Sequence, residues 1–242
     1  MGMSQWASFF IGAIVVFEPL APRLLAQVPA TTAKSRRVTA EEVSRRFLPR
    51  YTQSRDEAEK RIITVMEEMY VNQSRGTENV LPEDGRLLRM LTEILGARHA
   101  VELGTGNGYS SLWFCLALRS TGGKLTTHEI DPKRIALAKE KFQCAGVENL
   151  ATLVDGDAYE TIERLVGRID LLLLDAEKEG FTDYLTKLLP QVRIGGLIIA
   201  HDSSRRVHMM YDHFQAIGSN ADLETVFVGA SRWGMFVTRK MW

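Results

Sequence analysis

The stretch Ala100-Val-Glu-Leu-Gly-Thr-Gly-Asn-Gly-Tyr-Ser110 decides the fold class of this chain. Apolar residues open it, and a helical pattern that begins at Ser110 follows it. Its glycines, Gly104, Gly106 and Gly108, let the backbone turn tightly and approach a ligand that a Cβ atom would exclude. The helix start behind them offers unpaired N–H groups to a negatively charged group. The stretch therefore predicts a strand, a ligand-holding loop and a helix, although a glycine turn in an ordinary α/β protein would look similar.

Apolar runs and helical patterns alternate along the rest of the chain. The runs lie at residues 99–103, 125–129, 150–154, 169–174 and 196–200. Such alternation is typical of a parallel sheet that helices cover on both faces. Two final runs, 223–228 and 234–238, lie too close together for a crossover helix and must pair antiparallel. We therefore predict an α/β fold with a Rossmann-like, doubly wound, seven-stranded sheet that is mostly parallel and has an antiparallel last strand.

Composition fits an enzyme-sized globular domain. The chain has 242 residues, of which 45% are hydrophobic and 25% are charged. Its formal net charge is zero, which argues against a broad nucleic-acid-binding surface. Cys115 and Cys144 stand alone, without the spacing of a metal or redox motif, and are consistent with a reducing compartment.

Polar residues follow the predicted strands, at the edge where open α/β sheets bind ligands. Glu129 ends the second strand, where a carboxylate can accept hydrogen bonds from both ribose hydroxyls of an adenosine. Asp175 and Lys178 follow the fourth strand, and His201 and Asp202 follow the fifth. Because these ends meet at one rim, the carboxylates could hold a hard divalent cation. A buried lysine with a lowered pKa could take a proton from a hydroxyl nucleophile.

Several of these motifs together resemble the cation-dependent O-methyltransferases typified by catechol and caffeoyl-CoA O-methyltransferases. The resemblance covers about residues 39–242. It rests on Leu81-Pro-Glu-Asp-Gly85, Glu102-Leu-Gly-Thr-Gly-Asn-Gly-Tyr-Ser110, Glu129-Ile-Asp131, Asp175-Ala-Glu-Lys178 and Gly195-Gly196. It implies S-adenosylmethionine (SAM) as the cofactor. The glycine spacing agrees, because dinucleotide folds prefer G-x-G-x-x-G instead.

The resemblance also implies roles for individual residues. Glu102 and Ser110 would hold the methionine end of SAM, which Gly104 and Thr105 would line. Glu129 would bind the ribose, and Ile130 and Ala158 would flank the adenine. The remaining cofactor contacts would come from Gly106, Asp157 and Asp175. Lys178 would be the catalytic base, with Asp175 beside it as a second catalytic residue.

The predicted metal site departs from that family. Asp175, His201 and Asp202 would be the ligands, but the family has an Asp-Asn pair where this chain has His201-Asp202. Histidine is a poorer ligand for Mg²⁺ than a carboxylate and suits softer ions, so Mn²⁺, Fe²⁺ or Zn²⁺ are alternatives. Two further alternatives are a site of two carboxylates and a site without metal, in which His201 only hydrogen-bonds to nearby groups.

The function predicted from these features is methyl transfer from SAM to a hydroxyl of a small phenolic or ortho-dihydroxy acceptor. Trp233 and Tyr211 are candidates for the acceptor pocket, whereas His208 and His213 are expected on the surface. We expect no nucleic-acid or membrane partner, and the resemblance suggests a homodimer. Two alternatives are a SAM-binding scaffold or regulator without catalysis and a nicotinamide-dependent oxidoreductase.

Residues 1–38 are predicted to form an apolar N-terminal arm and linker, and residues 39–242 the methyltransferase domain. The apolar run at 7–17 is too short to span a bilayer unaided. We expect an arm that packs on the domain or on another subunit of a cytoplasmic enzyme, since SAM is a cytosolic cofactor. A secretory or membrane-anchoring segment is the alternative.

Overall fold

A computed structural model describes residues 53–73, 79–204 and 206–242. The predicted arm at 1–38, its apolar run at 7–17 and the boundary at residue 39 lie outside these ranges. Within the ranges, no helix combines the length and the apolar character that crossing a membrane requires.

Helices and strands alternate through the described residues. The helices are α1 (Glu57–Gln73), α2 (Pro82–Ile94), α3 (Tyr109–Thr121), α4 (Pro132–Ala145), α5 (Ala158–Thr161), α6 (Phe181–Leu188) and α7 (Tyr211–Ser219). The strands are β1 (His99–Leu103), β2 (Lys124–Glu129), β3 (Ala151–Asp155), β4 (Ile169–Leu174), β5 (Val192–His201), β6 (Leu223–Val228) and β7 (Met235–Lys240). Short 3₁₀ turns lie at Ile162–Arg164, Lys178–Gly180 and Val207–Met209.

The strands form one seven-stranded sheet in the order β3-β2-β1-β4-β5-β7-β6. Strands β1 to β5 are parallel to their neighbours, whereas β7 runs antiparallel to both β5 and β6. The predicted mostly parallel, doubly wound sheet with an antiparallel last strand is confirmed. Because the strand order reverses between β1 and β4, a crevice opens there at the carboxyl ends of the strands.

Strand β5 is longer than the apolar run at 196–200 predicted. It starts at Val192, which pairs with Ile169, and its register against β4 shifts before Leu171 pairs with Leu197. Gly195, with a φ of 74°, interrupts the apolar pattern between these two pairings. The glycines Gly195 and Gly196 therefore explain why the sequence pattern predicted only the second half of β5.

Two hydrophobic cores lie on opposite faces of the sheet, because successive residues of a strand point to opposite sides. On β4, Leu171 and Leu173 belong to one core and Leu172 and Leu174 to the other. A strand buried on both faces reads as a continuous apolar run, which explains why β4 was easy to predict.

His213 is buried, so the prediction of a surface position is wrong. Its side chain is 1% exposed, and its ring meets the edge of Phe181 at a centroid distance of 5.7 Å. His208, in the 3₁₀ turn before α7, is exposed as predicted, whereas His213 lies within α7 on the side that packs against α6.

Candidate active site

A cavity of about 410 Å³ lies at the carboxyl ends of the parallel strands. Residues that follow β1, β2, β3, β4 and β5 all contribute to its walls. Of the predicted cofactor and metal residues, every one except Glu102 lines it. The predicted site residues are thus brought together at the crevice that the strand order creates.

The glycine loop forms the wall between β1 and α3. Gly104 has a φ of 97°, and a Cβ atom there would lie 2.5 Å from the carbonyl oxygen of Asp175. Gly106 also has a positive φ, of 57°, but its Cβ position opens onto empty space at the cavity. The first glycine is therefore required by the neighbouring strand, and the second leaves room for a ligand to approach the backbone.

Glu129 is held in a fixed orientation by backbone amides. Its Oε2 accepts a hydrogen bond from the N–H of Gly106 at 2.8 Å. Its Oε1 accepts from the N–H groups of Ile130 and Asp131, each at 3.0 Å. The carboxylate is 94% buried yet faces the cavity, since it is 6% exposed and forms part of the wall. It can accept hydrogen bonds from the hydroxyl groups of a ligand without rearranging.

Glu102 lies behind the cavity rather than in its wall. One carboxyl oxygen, Oε2, accepts hydrogen bonds from Ser111 and, at 2.6 Å, from Thr127. The other, Oε1, is buried and has no hydrogen-bond partner in the described part of the chain. Burial raises the pKa of this carboxyl to about 7, although the hydroxyl of Ser110 is among the groups that lower it. Ser110 lines the cavity, so it separates Glu102 from a bound ligand.

The loop after β3 provides the opposite wall. Asp157 caps α5 by accepting a hydrogen bond from the N–H of Tyr159 at 2.8 Å. Ala158 and Tyr159 line the cavity next to it, and so does Ile130, which follows β2 and is 55% exposed. Apolar surfaces on two loops can enclose a flat ring such as adenine.

Asp175 and Lys178 form a buried ion pair in the same cavity. Nζ of Lys178 lies 2.9 Å from Oδ1 of Asp175, and the Lys178 side chain is 4% exposed. The ammonium also lies 4.9 Å from the centroid of the Phe181 ring. Lys178 lies three residues after Asp175, at the start of the 3₁₀ turn Lys178–Gly180, so the pair forms within one short loop.

His201, the last residue of β5, lies between two carboxylates. Its Nε2 is 3.1 Å from Oδ2 of Asp84, and its Nδ1 is 3.2 Å from Oδ2 of Asp175. Burial alone would lower the pKa of His201, but the two carboxylates outweigh it and raise the pKa to about 9. Burial would likewise raise the pKa of Asp175, yet Lys178 and His201 hold it well below its usual range.

The predicted metal ligands do not assemble into a ligand set. Asp202 has a left-handed backbone with a φ of 59°, and its Oδ2 lies 3.1 Å from Nε of Arg206. Both oxygens of Asp175 already face cations, one on Lys178 and one on His201. Among the residues that the structure describes, no group of three or more His, Cys, Asp and Glu side chains is placed to hold a metal ion. The side chains present therefore do not fit a divalent cation.

Two residues of the site were missed at the level of sequence. Asp84, which contacts His201 from behind the cavity wall, was part of a quoted motif but had no assigned role, and Asn79 was not considered. Nδ2 of Asn79 is buried without a hydrogen-bond partner in the described residues and belongs to the cavity wall. Of the two aromatic candidates, Trp233 lines the cavity, whereas Tyr211 is 64% exposed and does not. No local signal separates these two aromatics, because Trp233 lies in the turn before β7 and Tyr211 at the start of α7, and the packing of each element decides which side chain reaches the cavity.

Comparisons with known proteins agree with this geometry. The family model described as O-methyltransferase matches residues 52–206. A catechol O-methyltransferase from Niastella koreensis is 34% identical over 131 residues, which are 52% of this chain and 59% of that relative. The chain thus spans little more than half the length of the curated relatives that it matches.

Two solved structures share the fold. An O-methyltransferase from Bacillus cereus, in complex with SAH, has a TM-score of 0.66 at 22% identity and covers 83% of this chain and 96% of its own. A cofactor-bound protein from Mycobacterium tuberculosis has a TM-score of 0.70 at 23% identity and covers 85% of this chain and 99% of its own. Since the family model matches well over half of the sequence, the chain belongs to the O-methyltransferase family.

Proposed function

We propose that this protein transfers a methyl group from SAM to a hydroxyl of a small phenolic acceptor. One observation carries the proposal: the glycine loop with its fixed Glu129 and the buried Asp175–Lys178 pair open into one cavity. The glycine loop and Glu129 suit an adenosine ligand, and the Asp175–Lys178 pair suits a proton transfer. Family membership supports the same reaction.

The cofactor would lie along the glycine loop. Glu129 would accept hydrogen bonds from the ribose hydroxyls, and Ile130 and Ala158 would enclose the adenine. The amino-acid end would approach Ser110, behind which the Glu102 carboxyl has an unpartnered oxygen. A cationic ammonium at that point would favour the ionised carboxylate and stabilise it. The SAH complex of the Bacillus cereus relative supports a cofactor of this class.

The methyl transfer is a direct displacement at the sulfonium carbon. As the acceptor oxygen forms its bond to the methyl carbon, the carbon–sulfur bond breaks and its electron pair stays on sulfur. In the resting site Lys178 is an ammonium paired with Asp175 at 2.9 Å, so it first releases one proton to solvent. The hydroxyl proton of the acceptor then passes to the neutral amine and restores the ammonium beside Asp175. Alignment of the acceptor oxygen, the methyl carbon and the sulfur in one cavity would supply much of the rate acceleration.

The acceptor would lie against Trp233, which forms the cavity wall near His201. A phenol suits this wall because its ring can pack on the indole while its oxygen reaches towards Lys178. Catechols are the first acceptors to test, since the Niastella koreensis relative is named catechol O-methyltransferase. No step of this mechanism passes through a metal ion.

The proposal is tested by SAM binding and by methyl transfer. Calorimetry should show SAM binding and no NAD binding, and labelled SAM should methylate a member of a catechol and hydroxycinnamate panel. Lys178→Met should lower kcat by about 10²–10⁴-fold and leave SAM binding intact, because only the proton acceptor is removed. Lys139→Met, at an exposed position of α4, is the matched control.

Three outcomes would count against the proposal in different ways. A protein that binds no SAM refutes it altogether. Binding without transfer to any acceptor favours the non-catalytic scaffold. Full activity in Lys178→Met refutes the assigned base. The homodimer and the cytoplasmic location stay predictions, which light scattering and fractionation can check.

A further inference from the structure

Four ionisable side chains form a continuous chain of contacts, and three of them line the cavity. From α2, Asp84 meets His201 of β5, and His201 meets Asp175 after β4, which in turn meets Lys178. Asp84 and His201 are 0% and 1% exposed, and Lys178 is 4% exposed. We refer to these four residues as the charge chain.

The position of His201 favours a cationic histidine. A carboxylate oxygen lies within 3.2 Å of each ring nitrogen. A hydrogen bond joins Nε2 to Asp84, whereas Nδ1 lies at ion-pair distance from Asp175 without a hydrogen bond of regular geometry. Negative charges on both sides of the ring stabilise its doubly protonated, positively charged form. Two carboxylates and two cations then alternate, and the chain of charges is neutral as a whole.

A divalent ion would disrupt this balance. To reach Asp175 it would have to displace Lys178 from one oxygen or His201 from the other. Displacement of His201 would also deprive Asp84 of its cation, and a buried carboxylate without a partner is strongly unfavourable. Asp202 offers no substitute, because its carboxylate pairs with Arg206.

The charge chain is also connected to the acceptor wall. The hydroxyl of Ser231 donates a hydrogen bond to Asp84 and accepts one from the N–H of Trp233 at 3.0 Å. The indole ring then meets the His201 ring edge-on at a centroid distance of 5.8 Å. Asp84 thus holds both the histidine and the turn that carries Trp233.

We propose that His201, held between Asp84 and Asp175, replaces a divalent cation with a fixed positive charge, so that methyl transfer in this protein is metal-independent. The inference rests on the proposed function. His201 and Asp84 are positioning residues: they orient the Asp175 carboxylate towards Lys178 and keep Trp233 against the acceptor. The acceptor then needs a single hydroxyl group, since no ion is present to bind two neighbouring oxygens.

Two measurements on the wild-type protein test metal independence. Calorimetric titration with MnCl₂ and with MgCl₂, with and without SAM, should show no stoichiometric binding. Methyl transfer to catechol and to a monohydroxy phenol should be the same in EDTA and in added Mg²⁺ or Mn²⁺. Stoichiometric ion binding, or loss of activity in EDTA that Mn²⁺ restores, would overturn the inference.

Variants of His201 test its positive charge. His201→Gln should lower kcat by about 10²-fold with KM for SAM little changed, because a preorganised electrostatic interaction is lost. His201→Asp should be inactive in EDTA and should gain Mn²⁺ binding together with Mn²⁺-dependent activity, since it adds a carboxylate to the two that remain. The control is His208→Asp, at an exposed position, which should stay active and metal-independent.

The outcomes separate this inference from the proposed function. If the wild type transfers no methyl group under any condition, the proposed function fails and metal-independent transfer fails with it, while the ion titrations still decide whether His201 keeps a divalent cation out of the site. If His201→Gln keeps full activity, the histidine has no positioning role and the inference is refuted. Circular dichroism spectra and retained SAM binding show whether the variants are folded.

Discussion

Glu102→Gln should make the stability of this protein less dependent on pH. Glu102 is fully buried in β1, and burial raises the pKa of its carboxyl from an ordinary 4.5 to about 7. In the unfolded chain the pKa returns to its ordinary value. The unfolded state therefore loses the proton first as the pH rises, and the wild type loses stability between about pH 4.5 and about pH 7.

The magnitude follows from the two pKa values. Their difference corresponds to about 3 kcal/mol, and this penalty is complete once the pH exceeds the folded pKa. Glutamine keeps the shape of the protonated carboxyl and has no proton to lose. The free energy of unfolding of Glu102→Gln, relative to wild type, should rise by about 2–3 kcal/mol between about pH 5 and pH 8.

Urea unfolding of the protein without SAM measures this difference at each pH. The fluorescence of the buried Trp113 reports the transition. Glu67→Gln is the control, because Glu67 lies exposed on α1 and its replacement should give a difference independent of pH. A Glu102→Gln difference that also stays constant across the range would refute the argument that burial penalises the Glu102 charge.

Three further predictions concern single positions. Gly85→Ala should lower the free energy of unfolding, measured in urea, by about 3 kcal/mol or more, since a Cβ atom would lie 2.1 Å from Nε1 of Trp113. Its control is Gly218→Ala, which has open space around it and should stabilise α7 by up to about 1 kcal/mol. Gly104→Ala should weaken SAM binding by calorimetry at least about tenfold, because its φ of 97° and the backbone after β4 both exclude a side chain; unchanged binding would contradict this. Burial lowers the pKa of His213 from 6.5 to about 4. The unfolded state therefore takes up this proton first on acidification, and the wild type loses stability from about pH 6.5 down to about pH 4. His213→Gln should remove on the order of 2–3 kcal/mol of that loss in the free energy of unfolding, measured in urea at several pH values. A variant whose stability falls with acidification as steeply as that of the wild type would count against this prediction.

Local patterns were sufficient for the sheet but not for its details. The continuous apolar run of β4 and the short spacing of β6 and β7 predicted their places correctly. The first half of β5 was missed because Gly195 and Gly196 interrupt its pattern. His213 was misplaced because the residues that bury it belong to another helix, where its ring meets Phe181 of α6.

The candidate site shows the same division. Glu129 and the glycine loop were predicted because their spacing along the chain is itself the signal, and the structure brings them into contact. Asp175, His201 and Asp202 were predicted as neighbours at one rim, and all of them line the cavity. The Asp84 partner of His201 could not be predicted, because a strand end does not reveal which side chain from another element will meet it.

By itself, the sequence determined the α/β class, the position of the cofactor loop and the strand ends at which polar side chains collect. These follow from periodicity and spacing over a few neighbouring residues. Only the tertiary structure decided that His201 meets Asp84, which is 117 positions away. Charge pairing inside a protein depends on which elements pack together, and local sequence carries no record of a partner so far along the chain.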